Sequence, residues 1–182
     1  MVKQLKNAIR KQILATRDAL SKEEIVQLSN QIAERLFSQP EFQKAKVVAL
    51  YLTKGSEVDT TEMIEQAIKE GKEVLVPIVN HELSFFKFLS FADLVKGKFS
   101  IMEPKSRTEP SKEPDLVIVP GIGFGLCMHR LGYGKGYYDS FLATSSAYRI
   151  GIAFDFQVVE KLPTHNSDQK MNCIITDKRT IR

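Results

Sequence analysis

Residues 115–139 read DLVIVPGIGFGLCMHRLGYGKGYYD. Leu116 to Val119 is an unbroken apolar run of Leu, Val and Ile, the pattern of a parallel strand covered on both faces. Pro120-Gly121-Ile122-Gly123-Phe124-Gly125 ends it in a glycine-rich loop, and a helix is predicted from about Gly136 to Leu142. A buried strand that hands over to a glycine loop and then a helix is the unit of an open α/β sheet. Such sheets bind ligands in the crevice beyond the carboxyl ends of their strands.

The flanking sequence repeats the theme. Val47 to Leu52 and Val74 to Val79 read as buried strands. Between them lies a helix with Asp59 as N-cap, Glu62 in the reciprocal position and Gly71 as its stop. Ser84 to Phe88 adds a more exposed strand, and Met102-Glu103-Pro104 with Lys105 to Glu113 forms a long connection. Arg149 to Phe154 and Cys173 to Thr176 are further strands, with a short helix around Val158. At the start, Val2, Leu5, Ile9, Ile13 and Leu20 recur at helical spacing as one buried stripe over Val2 to Leu20. Ser21 and Glu24 then make a capping box for a second helix that runs to about Phe37. Alternating β and α elements predict a three-layer α/β/α sandwich with a mostly parallel central sheet. With 182 residues, 43% of them hydrophobic, residues 1–182 are expected to form a single domain.

Composition narrows the function classes. Cys127 and Cys173 stand far apart with no CxxC or Cys/His spacing, so neither a disulfide framework nor a zinc ribbon is indicated, and a reducing cytoplasm is expected. No apolar run approaches the roughly 20 residues that span a bilayer. His81, His129 and His165 are scattered singly in polar loops and suggest no metal triad. The 26 Lys and Arg against 22 Asp and Glu give a net charge of +4. Lys3, Lys6, Arg10, Lys11 and Arg17 account for the whole excess, because residues 1–17 contain no acid. Lys3, Lys6, Arg10 and Arg17 fall within roughly a 60° arc of the helical wheel, a local basic edge and not a diffuse polyanion surface.

The chemistry concentrates at Arg130-Leu131-Gly132-Tyr133-Gly134-Lys135-Gly136-Tyr137-Tyr138-Asp139. Glycines at alternate positions let backbone N–H groups approach an anion, the following helix N-terminus adds positive potential, and Arg130 and Lys135 add full charges. This combination reads as a phosphate cradle. Asp139, one turn into the helix, is suited to a magnesium ion bridging such phosphates. Gly134-Lys135 is followed by Gly136 and not by Ser or Thr, so there is no Walker A loop, and the spacing is not GxGxxG. The plainer alternative is a mobile glycine-rich surface loop.

The block Arg130 to Asp139, with Pro120, Phe124 and Leu142, closely resembles the signature of the 5-formyltetrahydrofolate cyclo-ligase family. The resemblance extends over Lys6 and Arg10, Leu52 to Glu57, Ile101 to Pro104, and Ile152 to Pro163 leading to Asp168. It implies a NagB/RpiA/CoA transferase-like fold and an ATP- and magnesium-dependent cyclisation of 5-formyltetrahydrofolate to 5,10-methenyltetrahydrofolate. By resemblance Lys6, Asn7, Ala8, Ile9, Arg10, Arg130, Leu131, Gly132, Tyr133, Gly134, Lys135, Gly136, Tyr137 and Tyr138 line the ATP, with Arg130 and Lys135 catalytic. Arg10, Leu52, Glu57, Tyr133, Gly134, Lys135, Gly136 and Tyr137 face the folate, and Asp139 and Asp168 hold Mg2+. The partners expected are small molecules, with no nucleic acid and no membrane, acting on a monomer. The chain departs from the family pattern at Gly125, where Asp is usual, at Met128, where Gly is usual, and at Ser167, where His is usual.

Glu57 also has a reason of its own: a pterin presents neighbouring N–H donors, and one carboxylate can accept two. An exposed strand-end carboxylate is the alternative. Arg10 can equally be a solvated helix residue, and of Tyr137 and Tyr138 one is expected to be buried. Two other functions stay open, a different enzyme using the same cradle for a sugar phosphate or coenzyme A, and a non-catalytic nucleotide- or RNA-binding module whose affinity falls steeply with salt.

Overall fold

The computed structural model describes residues 2–182. Its helices are α1 (Val2–Arg17), α2 (Lys22–Phe37), α3 (Pro40–Lys44), α4 (Thr61–Lys69) and α5 (Tyr137–Thr144). The strands are β1 (Val47–Ala49), β2 (Glu73–Val79), β3 (Leu83–Lys87), β4 (Leu94–Lys96), β5 (Met102–Pro104), β6 (Leu116–Val119), β7 (Gly123–Gly125), β8 (Arg130–Leu131), β9 (Tyr148–Ile152), β10 (Val158–Val159), β11 (Cys173–Ile175) and β12 (Thr180–Ile181). Seven strands form the main sheet in the order β12-β11-β9-β6-β1-β2-β3. The five from β11 to β2 are parallel, and β12 and β3 close the two edges antiparallel.

The chain moves from β1 outward to β2 and β3, then returns to the other side of β1 with β6. The order therefore reverses between β1 and β6, and the crevice of an α/β sheet opens at that switch point. This is why β1 stops at Ala49 and not at Leu52. Leu50 still donates to the Leu75 carbonyl at 2.9 Å, and beyond it the backbone enters the crevice.

Strand alternation builds two cores. Val48, Leu116, Ile118, Ile150 and Ile152 face one side and pack with Ile32, Leu36, Phe42 and Ile64 from α2, α3 and α4. Val47, Ala49, Val117 and Val119 face the other and pack with Phe85, Phe124 and Leu142. These layers are the α/β/α sandwich that the continuous apolar strands predict, since only double coverage buries both faces of a strand such as Leu116 to Val119.

The capping box of α2 is complete: Glu24 N–H donates to Ser21 Oγ at 3.1 Å and Ser21 N–H to Glu24 Oε2 at 2.8 Å. Gly71, at φ 74°, ends α4 with Lys72 N–H on the Ala67 carbonyl and Gly71 N–H on that of Ile68, a Schellman closure. The start of α4 differs from expectation. Thr60 holds the N-cap position and Asp59 turns the chain before it, accepting from both the Thr61 N–H and its hydroxyl.

Further differences lie in the glycine-rich stretch, where β7 and β8 pair antiparallel and β10 joins β7 in parallel. Val158, expected in a short helix, is in that strand. The helical turn precedes it as a 3-10 helix at Asp155–Gln157, because buried Gln157 uses its amide to accept from the Phe154 N–H and to donate to the Gly121 and Ile122 carbonyls. Met102–Pro104, expected to open the long connection, is the strand β5, which pairs antiparallel with β4.

The α1 helix belongs to neither core. Leu5 is 51% exposed and Val2 and Ile9 are half-buried, so of the predicted apolar stripe only Ile13 is fully buried within α1. Its two buried residues are Ile13 and Arg17, which lie on the side where Lys6 and Arg10 make their contacts.

Candidate active site

A cleft of ≈ 1280 Å³ opens past the ends of β1 and β6. Tyr51 and Leu52 beyond β1 and Pro120 and Gly121 beyond β6 line it at the switch point. The α1 helix walls one side with Lys6, Arg10 and Arg17, and the segment from Arg130 through Ser140 walls the other. Lys98, Ile101 and Glu103 reach it from the β4–β5 hairpin.

The 130–136 segment follows from its glycines. Gly136 is the N-cap of α5 at φ 74° and Gly134 has φ 88°, both in the left-handed region that a Cβ disfavours. No side chain among the described residues caps α5. The N–H groups of its first turn thus lack intrahelical partners at the cleft, with the positive end of the helix dipole behind them.

Two basic side chains of α1 fasten the cleft walls to one another, and a third, Arg130, braces its own wall. Lys6 Nζ pairs with Asp168 Oδ2 at 2.6 Å, and Arg130 Nη2 with Asp139 Oδ2 at 2.9 Å. Arg10 Nε donates to the Gly132 carbonyl at 2.7 Å and its Nη1 to Asn7 Oδ1 at 2.6 Å. Burial lowers the Arg10 pKa, against the opposing charge of Asp168. Burial alone would raise Asp168, but the Lys6 ammonium and the His165 N–H outweigh it and hold the carboxyl below its ordinary value. The Gln169 N–H donates to Asp139 Oδ1 at 3.2 Å, which brings the Asp139 carboxylate beside the segment carrying Asp168. Arg130 also lies over the Tyr138 ring at 5.3 Å.

The other end of the cleft is organised around Glu57. Its Oε2 accepts the Lys54 N–H at 3.1 Å and its Oε1 the Tyr133 hydroxyl at 3.3 Å. Burial raises the Glu57 pKa, opposed by the Lys54 N–H, the Arg17 charge and the Tyr133 hydroxyl. Arg17, 3% exposed, donates from Nε to Ser56 Oγ and from Nη2 to Tyr133 Oη, each at 3.1 Å. Its Nη1, the Tyr138 hydroxyl and Arg130 Nε are buried without a hydrogen-bond partner among the described residues. An unpaired buried donor costs about 1–3 kcal/mol, and three such atoms in the walls of one cleft are groups that a ligand or a positioning role would account for. Burial pushes the Tyr138 hydroxyl far up, so it stays protonated.

The structure brings most of the predicted residues together. Lys6, Asn7, Arg10, Leu52, Glu57, Arg130 to Asp139 and Asp168 line the cleft. Ala8 and Ile9 do not, because at 100° per residue they turn away from the face that carries Lys6 and Arg10. Tyr137 and Tyr138 are both half-buried against the core, where one buried tyrosine was expected, and of Tyr138 the hydroxyl is buried. Arg17 was not assigned to the site from sequence, although it shares the arc of Lys6 and Arg10. Nothing in the sequence marks Ser56, Lys98 or Gln169.

The departures from the family pattern have local consequences. A Cβ at Gly125 would lie 2.8 Å from Cys127 Sγ and 3.3 Å from Leu162 Cγ, so the space of the usual Asp is filled here. Met128 stands where Gly is usual and takes the left-handed conformation, φ 68°, in the β7–β8 turn.

A mostly parallel α/β sheet with a cation-walled cleft at its switch point is the architecture of α/β proteins that bind small molecules. Comparison with known proteins makes this specific. Residues 2–177 match the profile of the 5-formyltetrahydrofolate cyclo-ligase family. The 5-formyltetrahydrofolate cyclo-ligase of Escherichia coli K12 is 32% identical over 173 residues, covering 90% of this chain and 95% of its own. A probable 5-formyltetrahydrofolate cyclo-ligase of Schizosaccharomyces pombe is 31% identical, covering 97% of each chain. The solution structure of Aquifex aeolicus 5,10-methenyltetrahydrofolate synthetase superposes with a TM-score of 0.87 at 40% identity, over 98% of this chain and 92% of that one. The chain belongs to the 5-formyltetrahydrofolate cyclo-ligase family, and it is an ATP-dependent ligase of folate one-carbon chemistry.

Proposed function

We propose that the two ends of the cleft divide the substrates. The end walled by Lys6, Arg10, Arg130 and Lys135 and by the start of α5 takes the ATP triphosphate, and the end at Glu57 and Leu52 takes the 5-formyltetrahydrofolate ring. The observation that carries this is the convergence of α1 and the 130–136 segment on one opening. There Arg10 and Lys6 of the first helix bond to Gly132 and Asp168, 122 and 162 residues away.

The formyl oxygen attacks the γ-phosphorus and ADP leaves. N10 then attacks the activated formyl carbon, its proton is lost, and phosphate departs to leave the 5,10-methenyl bridge. Phosphoryl transfer needs positioning and charge neutralisation more than covalent help, and these residues are suited to that. Arg130, held against Asp139 and the Tyr138 ring, is a preoriented donor to the transferring phosphoryl oxygens, and Lys135 adds a second charge. Arg10, fixed to the Gly132 carbonyl, orders the glycine segment whose N–H groups face the phosphates. Glu57 accepts the paired N–H donors of the pterin.

Asp139 and Asp168 fit a magnesium ion in number and kind, because this ion is habitually held by one or two carboxylates together with substrate phosphates. When bound it would neutralise phosphate charge. Lys6 and Arg130 pair with the same two carboxylates.

The whole site lies within one chain, which supports a monomer acting on small molecules, and we place it in the cytoplasm, without a role for nucleic acid or membrane. Residues 1–182 are read as one functional unit because both its ends contribute to the cleft. The test is direct: the protein with ATP, magnesium and 5-formyltetrahydrofolate should release ADP and develop the methenyl absorbance. No product and no ADP overturns the assignment. Turnover of a sugar phosphate or coenzyme A ester instead would identify a divergent relative.

A further inference from the structure

Arg17 is a buried cation of the cleft, and it uses its charge indirectly. Among the described residues it makes no direct ion pair with a carboxylate. Two of its donors end on hydroxyls, and each hydroxyl passes its own proton to a carboxylate: Ser56 Oγ to Asp18 Oδ1, and Tyr133 Oη to Glu57 Oε1. A hydroxyl has one proton, so accepting from a guanidinium turns that proton the other way, and the two bonds polarise each other. Tyr133 is itself 60% exposed and would otherwise point its hydroxyl freely into water.

We propose that Arg17 is a positioning residue, which through the Tyr133 hydroxyl fixes Glu57 as a charged acceptor oriented toward the paired N–H donors of the folate ring. This rests on the placement of that ring at Glu57. With the Tyr133 hydroxyl on one oxygen and the Lys54 N–H on the other, Glu57 cannot rotate without losing both bonds, and each oxygen keeps a lone pair for the ligand. The groups facing Glu57 are Arg17 from α1, Lys54 in its own loop, Tyr51 beyond β1, Tyr133, and Tyr138 from α5. The tyrosines are protonated, so Arg17 and Lys54 supply the positive charge that opposes the rise in the Glu57 pKa caused by burial. Loss of Arg17 therefore makes Glu57 easier to protonate.

The test measures KM for 5-formyltetrahydrofolate and for ATP between about pH 5 and 9 in the wild type and in Arg17→Met, Arg17→Lys, Tyr133→Phe and Glu57→Gln. Arg17→Met should raise the folate KM about tenfold, leave the ATP KM within about twofold, and move the acid limb of folate binding to higher pH. Arg17→Lys, which keeps the charge, should return the limb toward wild type. Tyr133→Phe should act in the same direction as Arg17→Met. If Arg17→Met raises both KM values together with no movement of the limb, Arg17 only props the helix and the proposal is overturned. If that variant does not fold, Tyr133→Phe decides, and an unchanged folate KM and limb overturn the proposal. Glu57→Gln separates the two levels: should it leave the folate KM unchanged, the placement of the ring fails and the role of Arg17 with it. A raised folate KM in Glu57→Gln beside an unchanged one in Arg17→Met overturns Arg17 alone.

Discussion

Arg130→Ala perturbs stability and turnover by separable amounts. The Arg130 guanidinium meets Asp139 at 2.9 Å with side-chain exposures of 7% and 21%, so the pair lies between a buried and a surface one. Stranding one partner of a fully buried pair costs about 3–5 kcal/mol, and an exposed pair is worth about 0–1 kcal/mol. Asp139 keeps the Gln169 N–H and some solvent, which places the loss near about 2 kcal/mol, or a fall in Tm of about 4–8 °C for a chain of this length. Turnover should fall much further, by about 10²–10³ in kcat, the usual effect of deleting one preorganised donor to developing charge. The double variant Arg130→Ala/Asp139→Asn removes the stranded carboxylate, so it should recover much of the stability and none of the turnover. Thermal unfolding followed by circular dichroism reads the first quantity, and methenyl absorbance with ADP release reads the second. A kcat for Arg130→Ala within about twofold of wild type refutes the placement of the phosphates, and a double variant no more stable than the single one refutes the ion-pair account.

Gly136→Ala meets no atom within 4 Å but must hold φ 74°, so it should destabilise by about 1–2 kcal/mol through backbone strain alone; denaturant titration checks this, and an unchanged midpoint would show that the cap relaxes without penalty. Ser21→Ala removes the cap of α2 away from the cleft and should lower stability by about 1 kcal/mol while leaving both KM values as they are. The Lys6–Asp168 pair makes stability depend on pH with a defined sign. Because the folded Asp168 carboxyl sits below its unfolded value, the pair stabilises above about pH 4 and its contribution disappears as the pH falls through the depressed folded value. The stability difference between wild type and Asp168→Asn should therefore be flat at neutral pH and shrink in acid, and a difference that grows on acidification would contradict the pairing. Lys6→Met should raise the ATP KM and spare the folate KM, read from initial rates at saturating partner substrate.

The fold was legible wherever one local pattern sufficed. Leu116 to Val119 announces a doubly covered strand by lacking polar alternation, and the Ser21–Glu24 box and Gly71 mark helix ends with bonds that form as their spacing requires. Asp59 and Thr60 were not separable, because both are good caps and the choice between them is made by Ser29, whose hydroxyl takes the Asp59 N–H from a different helix. The helix expected around Val158 failed for a similar reason: the partner that makes those residues a strand, Phe124–Gly125, is over 30 positions away. In the site, the Arg130 to Asp139 block carried its chemistry in its own residue types. Arg17 did not, since an arginine on an amphipathic helix reads as solvated until Tyr133 and Ser56 are seen against it. The same holds for α1 as a whole, whose exposed Leu5 and buried Arg17 invert the usual reading of a helical wheel.

That inversion bears on how the enzyme is made. The sheet strands lie between Val47 and Ile181, whereas α1 emerges before them and its Lys6 meets Asp168 only across 162 residues. At about 5–20 residues per second, the first helix spends about 8–30 s without the aspartate it will pair with. A helix held in place by one ion pair and several hydrogen bonds, with Ile13 as its one buried apolar side chain, has small reason to collapse prematurely onto the growing core. It can wait in water during synthesis and close the nucleotide end of the cleft as one of the last steps of assembly.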